Sequence, residues 1–227
     1  MLGVLLAIWL GWKLLHPVHT YRFRLTVEAE KNGAKHSGSS VIELRTRRNF
    51  FLSMLPEVPE WETSVRGEAV FVDMGGDDHL IAIITGPNAP KITASLPSRV
   101  VLGDAKARVG PPGVLDTLST LHPHALRQAY GPSYALSREQ MPPLIRFARR
   151  NDPTAVETVT PEDYAVNARL ELTNDDVTRS IANHLPWLNG MQSDSNLSGN
   201  GTGVFTAGEE LYSKPSHLTA SNFIARH

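Results

Sequence analysis

The chain is 227 residues long, 41% of its residues are hydrophobic, and its formal net charge is −1. This length suffices for one domain, or two small ones, with a buried core, and the composition is that of a globular protein. The sequence contains no cysteine, which excludes disulfides, thiolate catalysis and cysteine-based zinc or iron–sulfur sites. The near-neutral net charge argues against a nucleic-acid-binding role.

Residues 1–16 have the composition of a membrane anchor. Every residue from Leu2 to Trp12 is apolar or Gly, and Lys13 carries the first charged side chain. A helix over the first 15 residues would be about 22 Å long, short of the roughly 30 Å hydrocarbon core. The Lys13 side chain can reach the interface, and Trp9 suits the headgroup region. We therefore predict a single transmembrane helix.

Two alternatives to an anchor are a cleaved signal peptide and a buried helix of a soluble protein. The apolar run has the length of a signal peptide, but no small-x-small cleavage site follows Trp12. A buried helix of this composition would need apolar neighbours on every side. Lys13, Arg22 and Arg24 favour a cytoplasmic domain under the positive-inside rule. The rule weighs both flanks of a span, however, and a basic stretch upstream of Met1 would reverse the predicted orientation. We expect an extracytoplasmic domain.

Charge is distributed unevenly along the chain. Residues 13–60 contain eight Lys or Arg against five Asp or Glu, whereas residues 151–227 contain four against ten. The basic third therefore lies beside the predicted anchor. Basic side chains near a membrane surface attract anionic lipid, so we predict that lipid headgroups contact five arginines: Arg22, Arg24, Arg45, Arg47 and Arg48. The alternative is ordinary solvated surface, and Arg22 has Glu43 as a competing partner across the strands.

The segment after the anchor predicts a β-hairpin. In Thr20–Glu30, apolar side chains alternate with polar ones, which is typical of a half-buried strand. Asn32-Gly33 follows, the dipeptide favoured by a two-residue turn in which both positions need positive φ. Folding there pairs Tyr21 with Leu44, Phe23 with Ile42, Leu25 with Ser40, and Arg22 with Glu43. A one-residue shift would place Phe23 opposite Glu43, so the hydrophobic pattern opposes it.

A second hairpin is predicted from Glu68–Met74 and His79–Thr85, joined by the turn Gly75–Asp78. Leu80–Ile84 is apolar on both faces. We therefore expect this strand in the centre of a sheet, with a further layer packed over it.

The rest of the chain predicts short elements. They are a helix around Val114–Leu121, a strand at Leu144–Ala148, a short helix capped by Thr160, a strand at Arg169–Thr173, a short helix capped by Asn174–Asp176 and ended by Pro186, and a loop rich in Ser, Asn and Gly over 190–208. The predicted fold class is α+β: a β-rich domain with antiparallel hairpins and short helices, preceded by one N-terminal transmembrane helix. The domains are the anchor, 1–16, and the globular domain, 17–227, with a subdivision near 110–135 as an alternative.

No common catalytic motif occurs in the sequence, including the phosphate-binding P-loop, the zinc-protease motif and the nucleophile elbow. The turn of the second hairpin carries four candidate metal ligands, Asp73, Asp77, Asp78 and His79. Hard cations bind carboxylate-rich turns, but Asp is also common in turns because its side chain bonds nearby backbone N–H groups. We therefore expect no metal and no cofactor, with a metal site as the alternative.

Two stretches, YRFRLTVEAE…SGSSVIEL and DPTAVETVTPEDYAVNARLELTNDDVTRSIANHLPWL, resemble uncharacterised bacterial proteins with an N-terminal membrane anchor. The resemblance implies a bacterial membrane context and no activity or site residue. The leading hypothesis is a non-enzymatic, membrane-anchored accessory or binding domain that recognises a protein partner in the bacterial envelope. One alternative is a membrane-tethered metal-dependent hydrolase using the Asp73–His79 cluster. Another is a prophage or immunity-type envelope protein.

Overall fold

The structure is a computed structural model that describes residues 18–48, 61–84, 133–191 and 218–226, together with positions 3, 96, 97, 100 and 197. Over these residues the chain forms ten strands: β1 (Val18–Lys31), β2 (Ala34–Arg48), β3 (Trp61–Glu68), β4 (Val70–Asp73), β5 (His79–Ala82), β6 (Tyr134–Ala135), β7 (Leu144–Phe147), β8 (Val156–Val159), β9 (Asn167–Thr173) and β10 (Ile224–Arg226). Sheet A has the order β10-β3-β2-β1-β9-β6, and sheet B has the order β4-β5-β7-β8. Neighbouring strands in both sheets are antiparallel.

The first hairpin is confirmed in its register. Tyr21 lies opposite Leu44 and Phe23 opposite Ile42 in the β1–β2 pair, as the alternation of side chains predicts. Asn32 and Gly33 form the turn with φ values of 51° and 79°, which is the left-handed conformation that an Asn-Gly turn requires. The remaining predicted pairs, Leu25 with Ser40 and Arg22 with Glu43, are also present.

Sheet A packs on sheet B through one face. Odd-numbered residues of β1, from Tyr21 to Ala29, are buried together with Ile42 and Leu44 of β2 and alternate residues of β4 and β5. The two sheets are in close contact at Gly38, where a Cβ atom would lie 2.0 Å from the backbone oxygen of Phe71. The main core therefore lies between the sheets.

Sheet B is buried on its second face as well. Ile81, Ile83 and Phe147 on that face pack against Leu185 and Phe223 from the C-terminal part of the chain. The covering segments are α1 (Ile181–His184) and two short 3-10 helices, Pro186–Gly190 and Ala220–Asn222. A third 3-10 helix, Arg138–Gln140, precedes β7.

The second hairpin is confirmed as β4–β5, and so is the predicted two-sided burial of its second strand. Glu68, predicted to begin this hairpin, instead ends β3 in sheet A. Residues Leu80–Ile84 are at most 1% exposed, and β5 pairs with β4 on one side and β7 on the other. The predicted strands at 144–148 and 169–173 are present as β7 and part of β9.

One predicted helix is absent, and another begins later than predicted. The segment after Thr160, residues 161–165, forms turns instead of a helix. The N–H groups of Asp163 and Ala165 donate to the backbone oxygens three residues earlier, and the positive φ of Ala165, 44°, prevents the helix from continuing. The helix predicted after Asn174–Asp176 begins only at Ile181 and ends at His184. The side chain of Asp175 bonds the Thr173 hydroxyl at 2.6 Å and does not cap a helix.

The fold prediction is confirmed as a β-rich domain with antiparallel sheets and short helices. No helix within the described residues is long and apolar enough to cross a membrane. The predicted anchor over 1–16 lies outside them except for Gly3. The predicted helix over 114–121 also lies outside, as does the alternative boundary near 110–135 except for residues 133–135.

Candidate functional site: the arginine pocket

Three of the five predicted lipid-contacting arginines lie on the outer face of sheet A, the face directed away from sheet B. Arg22 and Arg45 both bind the buried Glu43, each donating a hydrogen bond of 2.8 Å from Nε to a different carboxylate oxygen. Arg22 also forms an ion pair of 3.3 Å with Asp176, and Arg24 forms one with Asp175. The sheet therefore brings Arg22 and Arg45 together on one carboxylate.

These contacts neutralise the charge of the three arginines, because three guanidinium groups face three carboxylates. Burial by itself would raise the pKa of Glu43, but the hydrogen bonds from Arg22 and Arg45 outweigh burial and hold that pKa below its ordinary value. Arg47 and Arg48 belong to β2, and their side chains lie outside the described part of the structure. Contact between these five arginines and lipid stays a prediction.

The candidate metal ligands of the second hairpin point to separate partners. Asp73 accepts hydrogen bonds from the Gly75 N–H group at 3.0 Å and from Arg150 at 2.9 Å. The first of these bonds is the main reason why the pKa of Asp73 lies below its ordinary value. Asp78 pairs with Lys31. No three acidic or histidine side chains are placed to hold a metal within the described ranges.

His79, the fourth candidate ligand, is fully buried. Its Nδ1 atom lies 2.7 Å from the backbone oxygen of Asp77, and its Nε2 atom accepts a hydrogen bond of 3.3 Å from the Phe147 N–H group. These contacts suit the neutral ring with its proton on Nδ1, and burial lowers the pKa of His79. Both nitrogens are therefore engaged in structural hydrogen bonds.

A pocket of about 410 Å³ opens on the outer face of sheet A, between β2, β3 and β10 and the chain that leads into α1. We call it the arginine pocket because three guanidinium-bearing residues line it. Its lining is Arg45, Arg66, Gly67, Glu68, Val177, Thr178, Arg179, Ala182, Asn189, Ile224 and Ala225.

The strand register explains why these charges share one face. Arg66 lies opposite Glu43 in the β2–β3 pair, and Glu68 lies opposite Ile224 in the β3–β10 pair. Since side chains two residues apart lie on the same face of a strand, Arg66 and Glu68 both project outwards while Gly67 contacts Ile42 on the core side. The sheet thus supplies one wall of the pocket.

The opposite wall is the segment before α1, which hydrogen bonds hold against the sheet. The Val41 N–H group donates to the Thr178 hydroxyl at 2.9 Å, and the Thr178 N–H group donates to the Val41 oxygen at 3.2 Å. The Glu68 carboxylate accepts hydrogen bonds from the N–H groups of Ser180 and Ile181 through its Oε2 atom. Glu68 therefore caps α1 from a distant strand.

The charge of the pocket is not balanced. Among the described residues, neither Arg66 nor Arg179 forms an ion pair or a side-chain hydrogen bond, in contrast to Arg22 and Arg24 on the same sheet face. Arg45 uses its Nε atom for Glu43. Within the described part of the chain, Arg66 and Arg179 are thus two positive groups without an ion pair, and they share one concave surface with the single carboxylate of Glu68, which suits an anionic ligand.

Sequence reasoning did not identify Arg66, Arg179 or Glu68 as candidate site residues. Arg66 and Glu68 are two residues apart, as one strand face requires, but their relation to β2 depends on a pairing that no turn motif predicts. Arg179 lies more than 100 residues further along the chain. The available signal was an Arg and a Glu two residues apart on one predicted strand face, which is too common to be specific.

Comparison with known proteins adds no further assignment: no protein-family model, curated protein or solved structure matches this chain.

Proposed function

We propose that this chain is a non-enzymatic binding domain, tethered to the bacterial envelope by residues 1–16, which recognises its partner through an anionic group held in the arginine pocket. The observation that carries the proposal is the unbalanced positive charge of Arg66 and Arg179 in a concave site. Guanidinium groups bind carboxylates and phosphates through paired, charge-assisted hydrogen bonds.

The size and position of the pocket support a binding role. Its volume of about 410 Å³ falls in the usual range for small-ligand sites, roughly 300–1,000 Å³. The outer face around it is neutralised by its own ion pairs, so the pocket is where an anion gains most from arginine contacts.

The chemistry of the lining supports binding over catalysis. No histidine, lysine or cysteine is among the described residues that line the pocket. The Thr178 hydroxyl accepts a hydrogen bond from the Val41 N–H group. The Glu68 carboxylate accepts hydrogen bonds from two backbone N–H groups. Neither group is paired with a base or a nucleophile, as acid–base or covalent catalysis would require.

Titration calorimetry of the full chain in mild detergent tests the pocket, with inorganic phosphate and glycerol phosphate as probes. We expect binding that weakens as salt concentration rises and that falls at least about tenfold for Arg66→Gln or Arg179→Gln, because each variant removes a charge-assisted hydrogen bond. Arg149→Gln is the matched control, since Arg149 is exposed, pairs with Asp152 and lies outside the pocket. Equal affinities for the pocket variants and the wild type would contradict the proposal.

The tether has its own test. We expect the full-length protein to stay with the membrane fraction after carbonate extraction, because a transmembrane helix resists extraction whereas a surface-bound protein does not. Uncleaved full-length protein in the soluble fraction would refute the anchor. Reporter fusions that are active on only one side of the membrane would test the extracytoplasmic placement.

A further inference from the structure

The arginine pocket contains one negative group that an anion-binding site does not need. Glu68 is only 6% exposed and lies on the same sheet face as Arg66, two residues away on β3. A carboxylate beside three guanidinium groups weakens the attraction for a simple anion. Its presence therefore requires an explanation beyond anion binding.

Capping of α1 explains only one of the two carboxylate oxygens of Glu68. The Oε2 atom accepts the N–H groups of Ser180 and Ile181, the latter at 2.9 Å. The Oε1 atom has no hydrogen-bond partner in the part of the chain that the structure describes, and it is not among the enclosed, unpaired polar atoms there. It is therefore open to a ligand.

The arginines of the pocket do not occupy this oxygen. No described Lys, Arg or His nitrogen forms an ion pair with Glu68, whereas Glu43, on the same sheet face, binds two arginines directly. The positive and negative groups of the pocket are thus held apart, Glu68 by the backbone of α1 and Arg45 by Glu43. This separation leaves room between them for a ligand that carries both charges.

We propose that the ligand of the arginine pocket is zwitterionic and carries a phosphate and a primary ammonium on one short chain. This inference rests on the proposed function, because it assigns a substrate class to the same site. The phosphate binds Arg66 and Arg179, and the ammonium donates a hydrogen bond to Glu68 Oε1. Such a group occurs both in the ethanolamine headgroup of a membrane lipid and in a free aminoalkyl phosphate.

The test compares phosphoethanolamine with propyl phosphate, in which a methyl group replaces the ammonium, by calorimetry on the full chain in detergent. We expect phosphoethanolamine to bind at least about tenfold more tightly, since a hydrogen bond between two charged groups is worth that factor. Equal affinities would overturn the zwitterion inference while leaving the proposed function intact. Failure of both ligands to bind would overturn the two proposals together.

Glu68→Gln sharpens this test because its amide oxygen can still accept the N–H groups of Ser180 and Ile181. We expect the variant to bind propyl phosphate more tightly than the wild type does, because a negative charge beside the guanidinium groups is removed, and to lose the preference for phosphoethanolamine. The matched control is Glu157→Gln, which removes a half-exposed carboxylate that pairs with Arg146 outside the pocket; it should keep the preference. An unchanged preference in Glu68→Gln would overturn the inference.

The source of the ligand is distinguished by a third probe, glycerophosphoethanolamine, which reproduces the phosphodiester of the lipid headgroup. Tighter binding of this diester than of phosphoethanolamine would assign the site to lipid, and weaker binding would assign it to a free phosphate monoester. Both results support a zwitterion site. They also separate it from the salt-dependent lipid contact predicted for Arg22, Arg24, Arg45, Arg47 and Arg48, which needs no ammonium.

Discussion

Sheets A and B differ in how many of their faces are buried. The central strands of sheet A bury one face against sheet B and present a charged outer face, where Glu43 binds Arg22 and Arg45. Sheet B buries both faces, one against sheet A and the other against α1 and the C-terminal segments. A polar side chain in sheet B, such as His79, must therefore find its hydrogen bonds within the core.

The difference shows which information is local. A strand with one buried face has alternating residues, and that pattern is visible within a dozen positions. A strand buried on both faces is only a short apolar run, and what covers it comes from distant parts of the chain. Leu185 and Phe223 are more than 100 residues from Ile81.

The largest expected effect on stability comes from a substitution on the buried face of sheet A. Phe23→Ala removes a side chain with no exposed surface from the core between the sheets, so we expect a loss of about 3–5 kcal/mol in the free energy of unfolding. Arg24→Ala, on the adjacent outward position, should change that free energy by less than about 0.5 kcal/mol. Denaturant unfolding of the full chain in detergent measures both, and similar effects would refute the face assignment.

A smaller effect is expected where the two sheets touch. Gly38→Ala would place a Cβ atom 2.0 Å from the backbone oxygen of Phe71, and one of the two strands must shift to admit it. We expect a loss of about 1–3 kcal/mol, the usual range for overpacking. Gly190→Ala is the control, since nothing lies within 4 Å of its added Cβ. A Gly38→Ala variant as stable as Gly190→Ala would show that the sheets are further apart.

The smallest effect concerns the buried polar group of sheet B. Burial lowers the pKa of His79 from its ordinary value of 6.5, so the unfolded chain takes up this proton at a higher pH than the folded chain. Protonation therefore favours unfolding, and the contribution of His79 to stability is lost as the pH falls below 6.5 towards the folded pKa. We expect the midpoint of denaturant unfolding to decrease as the pH is lowered through this window, and to decrease less steeply in His79→Gln. Equal slopes would exclude His79 as the cause.

Much of sheet A follows from local sequence. The alternation in β1 and the Asn32-Gly33 turn determine which residues of β1 and β2 pair, because only one register puts Phe23 and Ile42 on the same buried face. The two-sided apolar character of Leu80–Ile84 likewise determines that β5 is central. These features depend on side-chain periodicity and turn geometry, which short segments contain in full.

The arginine pocket was decided by tertiary structure. Asn174–Asp176 has the sequence of a helix cap, yet Asp175 and Asp176 bind arginines of β1, and the carboxylate that caps α1 is Glu68 from β3. Arg66 and Arg179 meet only because the segment before α1 pairs with Val41 beside β3. Ion pairs and caps between distant residues depend on where the backbone brings each group. The sequence by itself therefore determined the hairpins, and packing of the whole chain determined the site.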